Sequence, residues 1–415
     1  MHLGIIADDV TGGTDLASVL RRDGLSVVQA LGVPRSAPPE ADVVVVSLKT
    51  RTAPVDRATA AARAAAAYLT DAGAAQIYFK YCSTFDSTDR GNIGPVIESL
   101  LEQLHSGFTV ACPAYPMLGR TVYLGHLFVG EQLLCDSPMR HHPLTPMTDA
   151  NLVRVLARQS PFSVGLVPIG DVDEGVAAIR SRFAELTARG HRVAIVDAVL
   201  DRHVDAIGCA CRDFSLVTGG AALGGALARA AITARAQVET PAPPVRSGPV
   251  AVLSGSGSAA TLAQVRRLAP KVPHRAIDPL TLARDAGALA EIADWACRKA
   301  RLGHVLIYST TTPEAVEEVQ RRLGRSEAAA LLERAFGVLA AALAGHGVRA
   351  FVVAGGETSG AVLEAIGVKM LGFGEEIEPG VPWTYSLDPE GFHLALKSGN
   401  FGGVDFFATA LGLAI

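Results

Sequence analysis

Three carboxylates, two glycines and two threonines lie close together near the start of the chain, between Asp8 and Asp15. Carboxylates in such a stretch could hold a sugar hydroxyl, accept its proton or bind a metal ion. Glycines let the backbone approach a ligand closely. One carboxylate is enough to cap a following helix, so three of them favour a ligand site over a simple cap. The residues that we predict to bind a polar ligand here are Asp8, Asp9, Gly12, Thr14 and Asp15.

A second polar cluster occupies residues 80–92, directly after a predicted strand. It carries two cations, two carboxylates and several hydroxyls. A solvated loop is the alternative, but a loop alone does not need cations on both sides of so many hydroxyls. The composition suits a small, polar, anionic substrate, whose carboxylate a cation would pair with. After the next predicted strand, Arg120 could reach a substrate carboxylate or phosphate. The residues predicted to bind from the cluster itself are Lys80, Ser83, Thr84, Asp86 and Arg90.

The C-terminal half contains small-residue loops at residues 254–258, 354–360 and 399–403. At such loops, backbone N–H groups and the positive end of a helix can bind phosphate. Neither of the first two is a Walker A motif or a GxGxxG fingerprint, and each alone is weak evidence, because glycine turns before helices are common. Together they predict a nucleotide-phosphate site. Its candidate residues are Ser256, Ser258, Gly355, Gly356, Glu357, Thr358, Ser359, Gly399 and Gly402.

Strands alternate with helices along the chain, and this pattern predicts an α/β fold with mostly parallel sheets flanked by helices. A proline-rich stretch, 239–249, predicts a linker between a substrate domain (1–238) and a nucleotide domain (250–415). In both domains we expect ligand sites at the strand carboxyl ends, facing an interdomain cleft. Predicted strands cover 3–7, 43–48, 76–80, 108–113, 162–167, 193–197, 249–253, 305–309 and 351–353. Predicted helices begin at 16 and cover 57–69, 94–104, 219–236, 259–268 and 326–345, the last capped by Ser326, and the tail from 381 is β-rich.

Composition narrows the class of protein. The 415 residues include 49% hydrophobic and 19% charged ones, which is typical of a globular protein with a large core. The net charge of −4, without a basic block, argues against nucleic acid as the main partner. No apolar run looks long enough to span a bilayer, so we expect no membrane partner. The N-terminus enters a strand directly and the six cysteines are scattered, so we expect no signal peptide and a cytoplasmic location.

Taken together, residues 6–15, 80–92, 113–120 and 355–360 resemble the four-carbon acid sugar kinase family, and residues 396–402 resemble its 3-oxo-tetronate kinase branch. The resemblance implies two α/β domains, the first binding the sugar acid and the second binding ATP, and phosphorylation of the terminal hydroxyl. It places Asp8, Asp9, Asp15, Lys80, Ser83, Asp86 and Arg90 on the sugar-acid side, and Ser258, residues 355–359 and Gly402 on the ATP side.

We therefore expect an ATP-dependent kinase that makes 3-oxo-tetronate 4-phosphate, with Mg²⁺ bridging the ATP phosphates. Asp8 and Asp9 are adjacent in an extended segment, so we expect their side chains to point in opposite directions. Asp9, further into the loop, is then the predicted base and Asp8 a substrate-orienting or loop-fixing group. A D-threonate or D-erythronate 4-kinase is the first alternative. A nicotinamide-dependent dehydrogenase is the second, although the GxGxxG fingerprint is absent, and a non-catalytic sugar-acid sensor is the third. The metal ligands and the oligomeric state stay open, with a homodimer as one option.

Overall fold

A computed structural model describes residues 3–142, 144–231, 246–285, 287–309, 311–387 and 391–414. The chain divides into two compact units, Met1–Thr240 and Pro241–Ile415. The predicted linker lies partly outside the described residues, since only 246–249 of it are described, and these have no regular secondary structure. The alternation of strands and helices is confirmed in both units.

In the first unit, described strands and helices alternate along most of the chain. Its strands are β1 (Leu3–Ala7), β2 (Val27–Leu31), β3 (Val43–Ser47), β4 (Gln76–Lys80), β5 (Thr109–Cys112), β6 (Arg120–Tyr123), β7 (His126–Val129), β8 (Gln132–Leu133), β9 (Val164–Val167), β10 (Val193–Val196) and β11 (Leu216–Gly219). Its α-helices are α1 (Val10–Arg22), α2 (Val55–Asp71), α3 (Ile93–Gln103), α4 (Leu152–Gln159), α5 (Ile169–Asp173), α6 (Val176–Ala188), α7 (Asp201–Ala210) and α8 (Ala221–Ala231).

The main sheet of this unit is parallel, with the strand order β2-β3-β1-β4-β11-β5-β10-β9. Strands β1, β3 and β4 are buried along their whole length, which is why they read as nearly continuous apolar runs. Their register places Ala7 opposite both Ser47 and Lys80, so the chain leaves all three strands at one edge. Strands β2 and β11 and the small antiparallel sheet β6-β7-β8 were not predicted.

The first helix begins earlier than the sequence pattern suggested. It starts at Val10 and not at residue 16, because Asp9 is its N-cap and accepts a hydrogen bond from the Gly12 N–H at 3.0 Å. Gly12 and Asp15 therefore lie in the first turns of α1 and not in a loop. This change matters for the site, because a helix holds these residues in fixed directions.

The second unit is also a mostly parallel α/β structure. Its strands are β12 (Val250–Ser254), β13 (His274–Ala276), β14 (Val305–Tyr308), β15 (Ala350–Ala354), β16 (Met370–Glu378), β17 (Val381–Ser386) and β18 (His393–Lys397). Its helices are α9 (Ala259–Leu268), α10 (Pro279–Arg284), α11 (Ala288–Ala300), α12 (Pro313–Leu323), α13 (Arg325–Gly345), α14 (Gly356–Ala365) and α15 (Phe406–Leu411). Within this unit the order is β13-β14-β12-β15-β18-β17-β16, parallel as far as β18 and antiparallel from there.

Two helix starts in this unit differ from the prediction. Residues 356–360 form the first turns of α14 and are not part of a loop. The predicted cap Ser326 is wrong: α13 begins at Arg325, and its N-cap is Gly324, whose φ of 87° lies in the left-handed region that favours glycine. Of the predicted helix 219–236, residues 221–231 are helical and 232–236 lie outside the described residues.

Helix α13 also corrects the expectation about apolar length. Its 21 residues are long and apolar enough to cross a membrane by length and composition alone. Glu333 and Arg334 interrupt the apolar run, which hid it in the sequence. One such helix is weak evidence, because a core helix passes the same test. Phe336 and Leu343 of α13 are fully buried.

Candidate functional site

In the first unit, one guanidinium group interacts with three carboxylates at the sheet edge where β1, β3 and β4 end. Arg51, which follows β3, donates from Nε and Nη2 to both oxygens of Asp8, each at 2.8 Å. The same Nη2 lies 2.9 Å from Asp9 Oδ1, and Nη1 lies 3.6 Å from Asp86 Oδ2. The expectation that Asp8 and Asp9 point in opposite directions is therefore wrong. Both face one cation, because the chain turns into α1 directly after Asp8.

Arg51 was not among the predicted site residues, although its position four residues after the buried strand β3 was a usable signal. The turn that carries it is held by Asn92, whose Nδ2 donates to the carbonyl oxygens of Thr50 at 2.6 Å and Ala53 at 2.8 Å. Asn92 precedes α3, 41 residues after Arg51 in the chain. No local pattern could have paired the two.

The pKa values of the two adjacent aspartates, Asp8 and Asp9, are shifted in opposite directions. Burial raises the pKa of Asp8 above its ordinary value, against the attraction of Arg51. Burial acts on Asp9 in the same direction, but Arg51, Lys80 and hydrogen bonds from Thr11 and Gly12 hold the pKa of Asp9 below its ordinary value. Asp9 is thus a stable anion that caps α1.

At Gly12 the backbone, a carboxylate and an ammonium group lie close to one another. A Cβ atom on Gly12 would collide with Asp9 Oδ1 and with the Nζ of Lys80. Lys80 ends β4 and is 3% exposed. Its ammonium group makes no hydrogen bond or ion pair with the described residues, although Asp9 and Asp15 are close enough to feel its charge.

The turn after β4 has an unusual backbone. Phe85 and Asp86 have φ values of 64° and 35°, which few residues other than glycine adopt. Thr84 Oγ1 donates to Asp86 Oδ1 at 2.6 Å and helps to aim this carboxylate at Arg51. Strain of this kind is typical of functional sites. Ser83 is partly buried beside the turn and makes no hydrogen bond within the described part of the chain.

Two buried atoms of the predicted site lack hydrogen-bond partners among the described residues: Asp15 Oδ1 and Arg120 Nε. Burial raises the pKa of Asp15 to about 6, while Lys80 and Arg120 act against this shift. Arg120 Nη1 donates to the Leu118 carbonyl oxygen. Buried polar atoms are almost always paired in native proteins, so these two atoms are candidates for a contact with a ligand or an ordered water molecule.

Two other predicted residues are not drawn into the cluster. The hydroxyl of Thr14 bonds to the Val10 carbonyl oxygen at 3.1 Å and to Gln29 Oε1 at 2.9 Å, so it belongs to packing between α1 and β2. Arg90 is exposed, and its guanidinium group makes no ion pair with the described residues.

The second unit has a different site at the carboxyl ends of three neighbouring strands, β12, β15 and β18. Ser254 pairs with Ala354, which pairs with Lys397. The next residues continue this edge, because the Gly255 N–H donates to Ala354 O and the Gly355 N–H donates to Lys397 O, both at 2.9 Å. The three predicted small-residue segments therefore lie side by side.

Polar side chains along one face of α9 hold the 399–403 loop. Ser258 Oγ and Thr261 Oγ1 both donate to the Gly399 carbonyl oxygen, at 2.6 and 2.7 Å. One turn further, Gln264 Nε2 donates to the carbonyl oxygens of Gly402 at 2.9 Å and Gly403 at 3.0 Å. Spacing of three residues aligns side chains on a helix, so 258, 261 and 264 form one row. The last two were missed, since nothing local marks them as polar partners of a loop 138 residues away.

Lys397 is the buried cation of this unit's site and was not predicted. Its Nζ donates to Thr261 Oγ1 at 2.9 Å and to the carbonyl oxygens of Ser398 and Gly399 at 3.0 and 2.9 Å. Its side chain is fully buried, and burial lowers the pKa of Lys397 to about 7, opposed by Glu378. Lys397 therefore links the 399–403 loop to α9 through hydrogen bonds.

Glycine is required at two positions of these loops, one because of close packing and one because of its backbone conformation. A Cβ atom on Gly399 would lie 2.5 Å from Ser256 Oγ, and Gly355 has a φ of 117°. Gly356, Glu357 and Thr358 form the first turn of α14, with Glu357 exposed and the hydroxyl of the next residue, Ser359, buried without a described hydrogen-bond partner. Helix starts with free N–H groups and hydroxyls bind anions such as phosphate. No group of three or more His, Cys, Asp or Glu side chains suited to a metal ion occurs in the described residues.

Comparisons with known proteins agree with this division. Residues 3–227 match the family model of a sugar-binding N-terminal domain, and residues 251–407 match that of a nucleotide-binding C-terminal domain. A curated relative from Pseudomonas fluorescens, named 3-oxo-tetronate kinase, is 52% identical, and the match covers 99% of this chain and 96% of the relative. A relative of the same name from Burkholderia multivorans is 50% identical with the same coverage.

Among solved structures, a Salmonella typhimurium LT2 protein has a TM-score of 0.84 and 43% identity, covering 99% of this chain and 98% of its own. That protein carries the provisional description of a tRNA synthase.

Proposed function

Because this chain belongs to the four-carbon acid sugar kinase family, we propose that it transfers the γ-phosphate of ATP to the 4-hydroxyl of a four-carbon sugar acid. The substrate is 3-oxo-tetronate and the products are 3-oxo-tetronate 4-phosphate and ADP. The observation that carries the proposal is the pairing of two chemistries in one chain: a charged cluster in a unit that matches a sugar-binding domain, and a glycine-hydroxyl site in a unit that matches a nucleotide-binding domain.

On the sugar-acid side, the groups without internal partners do the binding. Lys80 and Arg120 supply positive charge for the substrate carboxylate, and the free Asp15 oxygen accepts from a hydroxyl. Asp8, Asp9 and Asp86 act through Arg51, which fixes the shape of the edge around Gly12. A rigid, prepared site of this kind is what phosphoryl transfer requires, because catalysis of this reaction rests largely on positioning and charge.

On the ATP side, the α14 start and the 255–258 and 399–403 loops hold the phosphates. Ser256 and Ser359 offer hydroxyls, Ser258 holds the 399–403 loop through the Gly399 carbonyl oxygen, and Gly355, Gly356, Gly399 and Gly402 allow close approach of the backbone. Mg²⁺ is part of this proposal as the partner of the ATP phosphates. The donor set fits it, because Mg²⁺ takes most of its ligands from phosphate and water and needs only one or two protein carboxylates. Glu357 is the carboxylate that would hold it, where it would neutralise phosphate charge.

The names of the relatives favour 3-oxo-tetronate over D-threonate or D-erythronate, which remain the alternatives. The tRNA synthase description is not carried to this chain, because a net charge of −4 suits an RNA partner poorly. The domain boundaries at 239–249, a cleft between the domains, a homodimer and a cytoplasmic location all remain predictions.

The test combines ligand binding with turnover. We expect ATP with Mg²⁺ to raise the melting temperature, since a ligand of the native state stabilises it, and NADH to leave it unchanged. ADP release is then measured with 3-oxo-tetronate, D-threonate and D-erythronate, and the highest kcat/KM is expected for 3-oxo-tetronate. A preference for D-threonate or D-erythronate would move the chain to that branch. A melting shift with NADH and none with ATP would overturn the kinase proposal.

A further inference from the structure

The identity of the proton acceptor depends on which carboxylate oxygens are already occupied. Both oxygens of Asp8 accept from Arg51. Asp9 Oδ1 accepts from the Gly12 N–H and faces Arg51, and Asp9 Oδ2 accepts from Thr11 Oγ1 at 2.9 Å. A carboxylate held as an anion by a guanidinium and by helix N–H groups is a weak base. Asp9, whose pKa is lowered, is therefore a weak base, although the sequence favoured it, and Asp8, whose pKa burial raises, has both oxygens occupied by Arg51.

Asp15 has the opposite character. It lies in the second turn of α1, is 7% exposed, and its Oδ1 has no hydrogen-bond partner among the described residues. A buried acceptor without a donor costs free energy, so the fold retains it at the expense of stability. A hydroxyl group of a ligand would supply the missing donor. The neighbouring cations Lys80 and Arg120 suit the carboxylate of the same ligand.

Charges from several elements face Asp15. Lys80 at the end of β4, Arg22 in α1 and Arg120 in β6 favour its anion, whereas Asp9 and burial disfavour it, with burial the largest effect. The resulting pKa of about 6 places Asp15 close to neutral pH. A general base works best when its pKa lies near the working pH, because it is then both ionised and basic.

We propose that Asp15 is the catalytic base that accepts the proton of the attacking sugar-acid hydroxyl, an inference that rests on the proposed kinase function. The hydroxyl oxygen forms a bond to the γ-phosphorus while the bond from that phosphorus to the β–γ bridging oxygen breaks. The bridging oxygen leaves with the electron pair as part of ADP. The hydroxyl proton passes to Asp15 Oδ1 and then to water. Asp8, Asp9 and Arg51 are positioning residues in this scheme.

The experiment compares Asp15→Asn with Asp9→Asn in the full chain. Asp15→Asn is expected to lower kcat by roughly 10²–10⁴-fold, the usual worth of a general base, with a much smaller change in the KM for the sugar acid. When the pH is lowered below about 6, wild-type kcat/KM should decrease, and this decrease is the acid limb of the pH profile. The residual activity of Asp15→Asn should lack the acid limb. Asp9→Asn should keep the limb.

Stability separates this role from a structural one. The raised pKa of Asp15 means that ionising it costs folding free energy, so its cost grows as pH rises from about 4 to about 6. At pH 7 the Asn variant should therefore melt at or above the wild-type temperature while losing kcat. A residue that only supports the fold would lower the melting temperature.

Several results would overturn the assignment. These are a normal kcat in Asp15→Asn with only KM raised, an acid limb that survives in that variant, or a wild-type kcat/KM without an acid limb between pH 5 and 7. The last needs no variant, so poor folding of a mutant cannot shield the proposal. If the wild type releases no ADP with any of the three sugar acids, the kinase function fails together with this assignment. If the wild type turns over normally and any of the first three results is found, only the assignment of Asp15 as the base is rejected.

Discussion

The two units place their sites at the same structural location and fill them with opposite chemistry. In each unit, three neighbouring parallel strands end at one edge, and the segments that follow them build the site. In the first unit these segments bring Asp8, Asp9, Asp86 and Arg51 into one ion-pair cluster. In the second they bring serine and threonine hydroxyls onto backbone carbonyl groups, with Lys397 as a buried cation that bonds to neutral oxygens.

The contrast between the two sites matches the ligand that we propose for each. A small sugar acid has one charge and a few hydroxyls, so its site needs side chains of both signs at set positions. Burying a charge without a partner costs free energy, which explains why Arg51 is shared among carboxylates. Triphosphate has many equivalent oxygens, and backbone N–H groups at helix starts meet them without added charge. The first site should therefore be sensitive to changes of charge and the second to changes of shape.

Removing the shared guanidinium should have the largest effect. Arg51→Gln removes the only cation that forms described ion pairs with the carboxylates of Asp8, Asp9 and Asp86. Loss of one partner from a buried ion pair costs about 3–5 kcal/mol, which in a unit of this size lowers the melting temperature by on the order of 10 °C. Misplacement of the edge should also lower kcat/KM by roughly 10²-fold or more.

Arg57→Gln is the matched control, because Arg57 is an exposed arginine of the same unit, in α2, without a described ion pair. It should keep the wild-type melting temperature and kinetics. Equal kinetic losses in both variants would mean that charge at this edge acts at long range and that the ion-pair cluster is not its source.

A change of shape should act on the ATP side alone. Gly399→Ala places a Cβ atom 2.5 Å from Ser256 Oγ and 3.1 Å from Ser258 Oγ, so the loop must move away from α9. We expect the KM for ATP to rise roughly tenfold or more, which corresponds to 1.4 kcal/mol of binding, with the KM for the sugar acid nearly unchanged. Gly345→Ala serves as the control, since a Cβ atom there meets nothing within 4 Å. A rise in the sugar-acid KM alone would contradict the division of roles.

The last effect concerns the pH dependence of stability and no kinetic constant. The pKa of Lys397 is lowered to about 7 by burial, so between that pH and its ordinary value of 10.5 the unfolded chain binds the extra proton. Stability from this group therefore rises with pH over that window, by about 1 kcal/mol per pH unit. Urea unfolding at pH 7, 8 and 9 should show a wild-type gain that Lys397→Met lacks. Lys271→Met, at an exposed lysine of the same unit, should retain the gain. If stability changed with pH in the same way in the wild type and in Lys397→Met, the lowered pKa of Lys397 would be contradicted.

Local sequence was enough to predict much of the fold. Strand β4 and helix α9 lie where the pattern placed them, because a buried parallel strand is a short apolar run and a helix has its own period. The small-residue segments before α9 and α14 and the carboxylates after β1 were also visible, since their unusual composition is concentrated in a few neighbouring positions. Short edge elements such as β13 were missed because their burial is low and leaves no apolar pattern.

The sequence by itself determined the residue types at both sites and the α/β class, because these follow from local pattern and from resemblance. Only the tertiary structure decided which polar groups are occupied and which are free. Asp8 and Asp15 look alike in the sequence, yet Arg51, 43 residues beyond Asp8, occupies both oxygens of Asp8, whereas Oδ1 of Asp15 has no hydrogen-bond partner among the described residues. Likewise, Thr261 and Lys397 meet at 2.9 Å although 136 residues separate them. Hydrogen-bond occupancy depends on contacts between distant segments, and those exist only after the strands have aligned their carboxyl ends.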